Sequence, residues 1–111
     1  MGNEKRLAML ENLTAGGKAD SFAWYALGLE YQNFGRIDDA LTAFKTLRET
    51  DQDYVPMYLM CGTMLSSAGR KSEGREWLEA GVEKARLKGD SHALSELEEA
   101  LNQIPPPPSI A

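Results

Sequence analysis

Few residues in this 111-residue sequence are of types that carry out chemistry, and their spacing argues against catalysis. There is one histidine, His92, and one cysteine, Cys61. A general base needs a nucleophile or substrate proton within reach and a partner that orients it. His92 has only Asp90 beside it, at what reads as a helix start, so it is expected to be a solvent-facing neighbour of a cap. Cys61 lies among apolar residues at helical spacing and reads as a small buried hydrophobe. A single cysteine cannot close an intramolecular disulfide, which fits a reducing compartment. No histidine, cysteine and carboxylate cluster has metal-ligand spacing, and no glycine loop could cradle a phosphate. Glu73, Glu76, Glu79 and Glu83, set among Arg70, Lys71, Arg75 and Lys84, describe a solvated, ion-paired helix face. The expectation is a protein that is not an enzyme and needs no cofactor or metal.

The formal net charge is −5, with both signs interspersed. A phosphate backbone would call for a basic stripe, so nucleic acid is excluded as a partner. No apolar run approaches the roughly 18–20 residues that span a bilayer, so no membrane partner is expected. The polar start, Met1 to Arg6, is unlike a signal peptide. Gly2 suggests myristoylation, but Arg6 stands where that motif wants Ser or Thr. These features together lead to the expectation of a soluble, cytoplasmic protein.

The elements that position the remaining residues emerge when the chain is compared with itself at an offset of 34. Trp24 falls on Tyr58, Leu27 on Cys61, Gly28 on Gly62 and Tyr31 on Leu65. Farther on, Gly35 falls on Gly69, Arg36 on Arg70, Ala40 on Gly74 and Phe44 on Leu78. Trp24, Leu27, Gly28 and Tyr31 share one face of a helix. Glycine inside a helix costs about 1 kcal/mol relative to alanine, so Gly28 and Gly62 predict close approach of a neighbouring helix. Gly35 and Gly69 fall just past helix ends, where a left-handed residue is wanted. Second helices follow, with Ile37, Ala40, Leu41, Phe44 and Leu47 in the first unit, and Gly74, Leu78, Gly81, Val82 and Ala85 in the second. Asp38 and Asp39 sit in a first turn, favourably placed against the helix dipole, and Pro56 in a first turn is tolerated.

Residues Ser21 to Lys88 resemble two tetratricopeptide repeats. The family pattern of aromatic, Leu-Gly, aromatic, small and bulky apolar residues is met by Trp24, Leu27, Gly28, Tyr31, Ala40 and Phe44. The second repeat offers Tyr58, Cys61, Gly62, Leu65, Gly74 and Leu78, without the proline often found at the junction, where Gln52 stands. The resemblance implies an all-α fold of antiparallel helix-turn-helix repeats, stacked as a short right-handed α-solenoid of about six helices. Residues 1–104 would form a single domain. Within it, 3–16 is an N-terminal half-repeat helix carrying Leu7, Leu10 and Leu13, with Leu10 in register with Phe44 and Leu13 with Leu47. The first repeat is 21–54, the second 55–88, and a capping helix over 90–104 presents Leu94, Leu97, Leu101 and Ile104. Pro105 to Pro108 opens a proline-rich tail, 105–111, expected to be disordered; a ligand for a proline-recognition domain and a linker are the alternatives.

In this family the first helices of successive repeats line a concave groove. The face opposite the core stripe holds Phe22, Tyr25, Leu29, Gln32 and Asn33, and its counterpart holds Pro56, Leu59, Met60, Thr63, Ser66 and Ser67. A helix apolar on two faces is usually contacted on both. The expected partner-binding groove is therefore Phe22, Tyr25, Leu29, Gln32, Asn33, Leu59, Met60, Thr63 and Ser66. It would be apolar with a polar end, and would hold a peptide or helix of another protein, as a scaffold or assembly adaptor. The alternative is a structural module in which this surface makes a homodimer or larger homo-oligomer. Family members that grip acidic chaperone C-termini use a lysine and asparagines where this chain has Tyr25, Leu29 and Met60, so that ligand class is not expected. Trp77, next to a core position, reads equally as buried or as an exposed anchor.

Overall fold

The computed structural model describes residues 2–17 and 19–105. Six helices and no strand occur among them: α1 (Glu4–Ala15), α2 (Ser21–Asn33), α3 (Ile37–Thr50), α4 (Val55–Ser67), α5 (Lys71–Lys88) and α6 (Ser91–Asn102). The protein is all-α, built from helix-turn-helix repeats. Two compact units divide it, Met1–Met57 and Tyr58–Ala111. Beyond Pro105 the expected proline-rich tail lies outside the described residues. No helix among the described residues is long and apolar enough to cross a membrane.

Local sequence sets the helix ends. Asn3, Asp20 and Asp90 cap α1, α2 and α6, their side-chain oxygens accepting from the backbone N–H of Arg6, Ala23 and Ala93 at 3.0, 2.9 and 3.1 Å. Gly35 and Gly69 take φ of +73° and +85° and close α2 and α4 with the same pair of bonds. Arg36 N–H donates to the Tyr31 carbonyl and Gly35 N–H to the Gln32 carbonyl; Arg70 and Gly69 repeat this on Leu65 and Ser66. The repeat register is thus realised atom by atom at these turns. Each arginine then pairs with the acid three residues on, Arg36 with Asp39 at 2.8 Å and Arg70 with Glu73 at 2.7 Å.

In the first unit, α2 lies antiparallel on α3: the Ser21 hydroxyl at one end of α2 donates to Asp51 beyond the far end of α3, at 2.6 Å. Gly28 allows the close approach, since a Cβ there would stand 2.5 Å from Cε1 of Phe44. Phe44 and Leu47 are fully buried. Leu7 and Leu10 of α1 join Leu27 and Ala43 in a core flanked by Trp24, Ala26, Tyr31 and Phe34. The apolar stripe of α1 differs from expectation, for Leu13 is 52% exposed and Thr14 is the buried residue. The Thr14 hydroxyl satisfies itself on the Leu10 carbonyl at 2.9 Å, so burying it carries little cost.

In the second unit Gly62 approaches α5 as Gly28 approaches α3; a Cβ there would stand 2.5 Å from Cγ of Leu78. Cys61 is fully buried, as expected for a small core residue. Trp77 is buried too, its ring tilted on Tyr58 with centroids 6.0 Å apart. Helix α6 closes this unit through Leu97, which is buried, while Leu94 and Leu101 are half-buried. Ile104 is buried although the helix stops at Asn102, and the Arg75 guanidinium holds its carbonyl at 2.8 Å. His92 is on the α6 surface, 3.1 Å from Glu96 one turn on.

Candidate partner-binding site

The residues expected to line a groove fall into both units. Phe22, Tyr25, Leu29, Gln32 and Asn33 belong to α2 in the first, and Leu59, Met60, Thr63 and Ser66 to α4 in the second. In the first unit, three of them come together with α1. Phe22, Leu29 and Asn33, with Ala26 and Glu30, face Arg6, Met9 and Leu10 across a cleft of about 390 Å³. Phe22 is 66% exposed and Met9 55%, so the walls present large apolar side chains to solvent. Leu13, one turn on from Met9 on α1, is exposed as well, though it does not line the cleft.

The polar end of this cleft is built around Glu30. This carboxylate is 3% exposed and accepts from the Asn3 backbone N–H, with the Arg6 guanidinium 3.9 Å away. Glu30 thereby ties the start of α1 to α2. Arg6 keeps its side chain 61% exposed, leaving a cation at the rim.

Tyr25 is committed in part to internal packing. Its ring is tilted on Phe44 at 6.3 Å and on Tyr54 at 5.3 Å, and burial, with Tyr54 adding to it, raises its phenol pKa. Gln32 is half-buried, its Oε1 having no hydrogen-bond partner among the described residues. On α4, Leu59, Met60 and Thr63 are half-buried, and the Thr63 hydroxyl turns back to the Leu59 carbonyl at 2.8 Å. Ser66 sits against α5, since a Cβ on Gly74 would stand 3.3 Å from its own Cβ.

Sequence reasoning missed Arg6, Met9 and Glu30. A signal for Glu30 was present: a charged residue between Leu27 and Tyr31, on a helix otherwise apolar nearly all round, must find a partner if buried. Met9 and Arg6 gave no such signal, since the 34-residue register sets them on Ala43 and Ala40, both buried.

A second cleft of about 310 Å³ lies where α1, α2 and α3 meet, lined by Trp24, Leu27 and Ala43 and by polar Glu11, Thr14, Tyr31, Asp39, Thr42 and Thr46. The Tyr31 hydroxyl donates to Glu11 at 2.6 Å, and the Arg36 guanidinium lies 4.7 Å from the Tyr31 ring centre. Burial above all, then the bond to Glu11 and its charge, push the Tyr31 phenol up to about 12. An acid held neutral in the fold favours folding while it is neutral in both states. That contribution is lost as pH climbs from the ordinary 10 toward 12, because the unfolded chain ionises first. Stability is therefore expected to fall between pH 10 and 12 and the fall to be shallower in Tyr31→Phe, as urea melts across that range would record. An equally steep fall in the variant would mean that other groups control it.

A tetratricopeptide repeat domain protein of Salinibacter ruber is 34% identical to this chain. Its crystal structure superposes with a TM-score of 0.71 over 78% of this chain and 96% of that one. Its solution structure gives the same identity and TM-score over 77% and 86%. A Bordetella parapertussis protein, 24% identical, superposes with a TM-score of 0.76 over 88% of this chain and 85% of its own, a likeness of fold. No family model and no curated protein matches the sequence.

Proposed function

Because the chain belongs to the tetratricopeptide repeat family, we propose that it is a protein-binding module that holds an apolar segment of another protein in the cleft between α1 and α2. Proteins of this fold typically serve as non-catalytic interaction scaffolds. The observation that carries the reading is the exposure of Phe22 and Met9 on the walls of one concave site, with Leu29 and Ala26 beside them. Exposed apolar surface gathered into a concavity is surface that gains by being covered. Arg6 and Asn33 at one end supply polar contacts that orient what binds. Arg6 and Glu30 are the charged residues of this lining and oppose one another in sign, which suits an apolar ligand better than an acidic one.

Tyr25 packs on Phe44 and Tyr54, so replacing it would disturb the fold along with the site. Phe22 and Leu29 are the better probes. Phe22→Asp and Leu29→Asp are expected to abolish capture of the partner on immobilised protein while leaving the far-ultraviolet circular dichroism unchanged. Undiminished capture by both variants would refute the cleft as the binding site.

A further inference from the structure

Resting on the reading of this cleft as a partner site, we propose that its occupant is an amphipathic helix of a partner chain, seated where the first helix of α1's own repeat would lie. The second helices of both complete repeats bury the same four positions. In α3 these are Ala40, Ala43, Phe44 and Leu47, and in α5 they are Gly74, Trp77, Leu78 and Gly81. One repeat earlier, the same positions on α1 are Arg6, Met9, Leu10 and Leu13. Only Leu10 is buried; Met9 and Leu13 are more than half exposed, and so is the Arg6 side chain. Among the described residues no helix covers this face of α1.

The two complete units show what such a helix must look like. In each, the covering helix runs antiparallel and sets a glycine on the bulky residue, Gly28 on Phe44 and Gly62 on Leu78, with Ser66 on Gly74. Carried back one repeat, Leu10 faces the glycine position and Arg6 faces the last turn of the covering helix. Complete repeats hold the uncharged Ala40 or Gly74 at that point, and their covering helices end there, at Asn33 and Ser67. Arg6 instead places a cation where the occupant's free carbonyls and negative dipole end would lie, a complementary arrangement. The occupant is accordingly a helix with a small residue opposite Leu10, apolar residues about one turn to either side, and its C-terminal turn at Arg6.

Residues 20–35 of this chain, the α2 sequence, carry the small residue at Gly28 with Trp24 and Tyr31 about one turn to either side, and supply the probe. Protein labelled with carbon-13 at the methionine methyls would be titrated with this peptide, the Met9 methyl reporting on the cleft. A saturable Met9 shift is expected. The Gly28→Leu peptide should bind about tenfold more weakly or worse, because the added side chain collides with Leu10. Arg6→Gln in the protein should weaken the parent peptide several-fold. Equal binding by a Gly28→Pro peptide, which cannot form the helix, would overturn the helical occupant yet leave the apolar cleft as a partner site. No Met9 shift with any peptide would also overturn the helix, while the Phe22→Asp and Leu29→Asp capture experiment judges the cleft independently. A Met9 shift that follows protein concentration without peptide would assign the place to a second copy and overturn the proposal.

Discussion

Gly28→Ala is expected to destabilise the protein by about 1–3 kcal/mol, the usual cost of overpacking, although alanine is the better helix former by about 1 kcal/mol. The new methyl carbon would lie 2.5–2.9 Å from three atoms of the Phe44 ring. Phe44 is fully buried and in contact with Tyr25, so the ring has little room to retreat. The sign should invert once the ring is removed. Phe44→Ala alone is expected to cost about 3–5 kcal/mol. In that background Gly28→Ala meets a cavity and should recover up to about 1 kcal/mol through helix propensity and partial filling. Urea melts of the wild type, both single variants and the double variant close the cycle. The same sign for Gly28→Ala in both backgrounds would show that the ring does not set the need for glycine.

The close approach behind that expectation was legible in the sequence because glycine recurs inside a helix at Gly28 and Gly62, 34 residues apart. Helix number, the positive-φ turns at Gly35 and Gly69 and the burial of Cys61 were legible for the same reason: each repeats, or sits inside a repeating pattern, and local chemistry dictates it. The cleft was legible only in part. Phe22 and Leu29 were found by their place opposite the core stripe. Met9 and Arg6 were not, because helical periodicity marks which residues share a face and leaves open whether another element covers that face. Leu13 illustrates the difficulty. Its register partner Leu47 is fully buried, and an identical residue on an identical face is 52% exposed because nothing among the described residues covers it. Glu30 was obscured by a long-range contact, since its partner is the backbone of Asn3, 27 residues away. Trp77 was undecidable because burial of a large aromatic beside a core position rests on whether another ring, here Tyr58, is positioned to meet it.

Gly74→Ala should prove the more damaging glycine substitution, at about 3 kcal/mol, the upper end of the overpacking range. A Cβ at position 74 would lie 2.7 Å from the Gly62 carbonyl oxygen and 3.0 Å from the Ser66 nitrogen. Both are backbone atoms of α4, so relief requires the helices themselves to part, whereas at Gly28 the obstacle is a single side chain. Yet the first repeat carries alanine at the same register position, and Ala40 is fully buried without conflict. The difference lies one turn along. The bulkier Phe44 is expected to hold α2 farther from α3 than Leu78 holds α4 from α5, which leaves room for the Cβ of Ala40 and none for one at position 74. Spacer and small residue therefore form a matched pair, Phe with Ala in one repeat and Leu with Gly in the other. Transplanting the pair tests this: Gly74→Ala combined with Leu78→Phe should recover about 1 kcal/mol or more of what Gly74→Ala loses, by coupling between neighbours. Strict additivity of the two substitutions would mean that Leu78 does not set the helix separation, and a neutral Gly74→Ala would mean that the helices part at no cost.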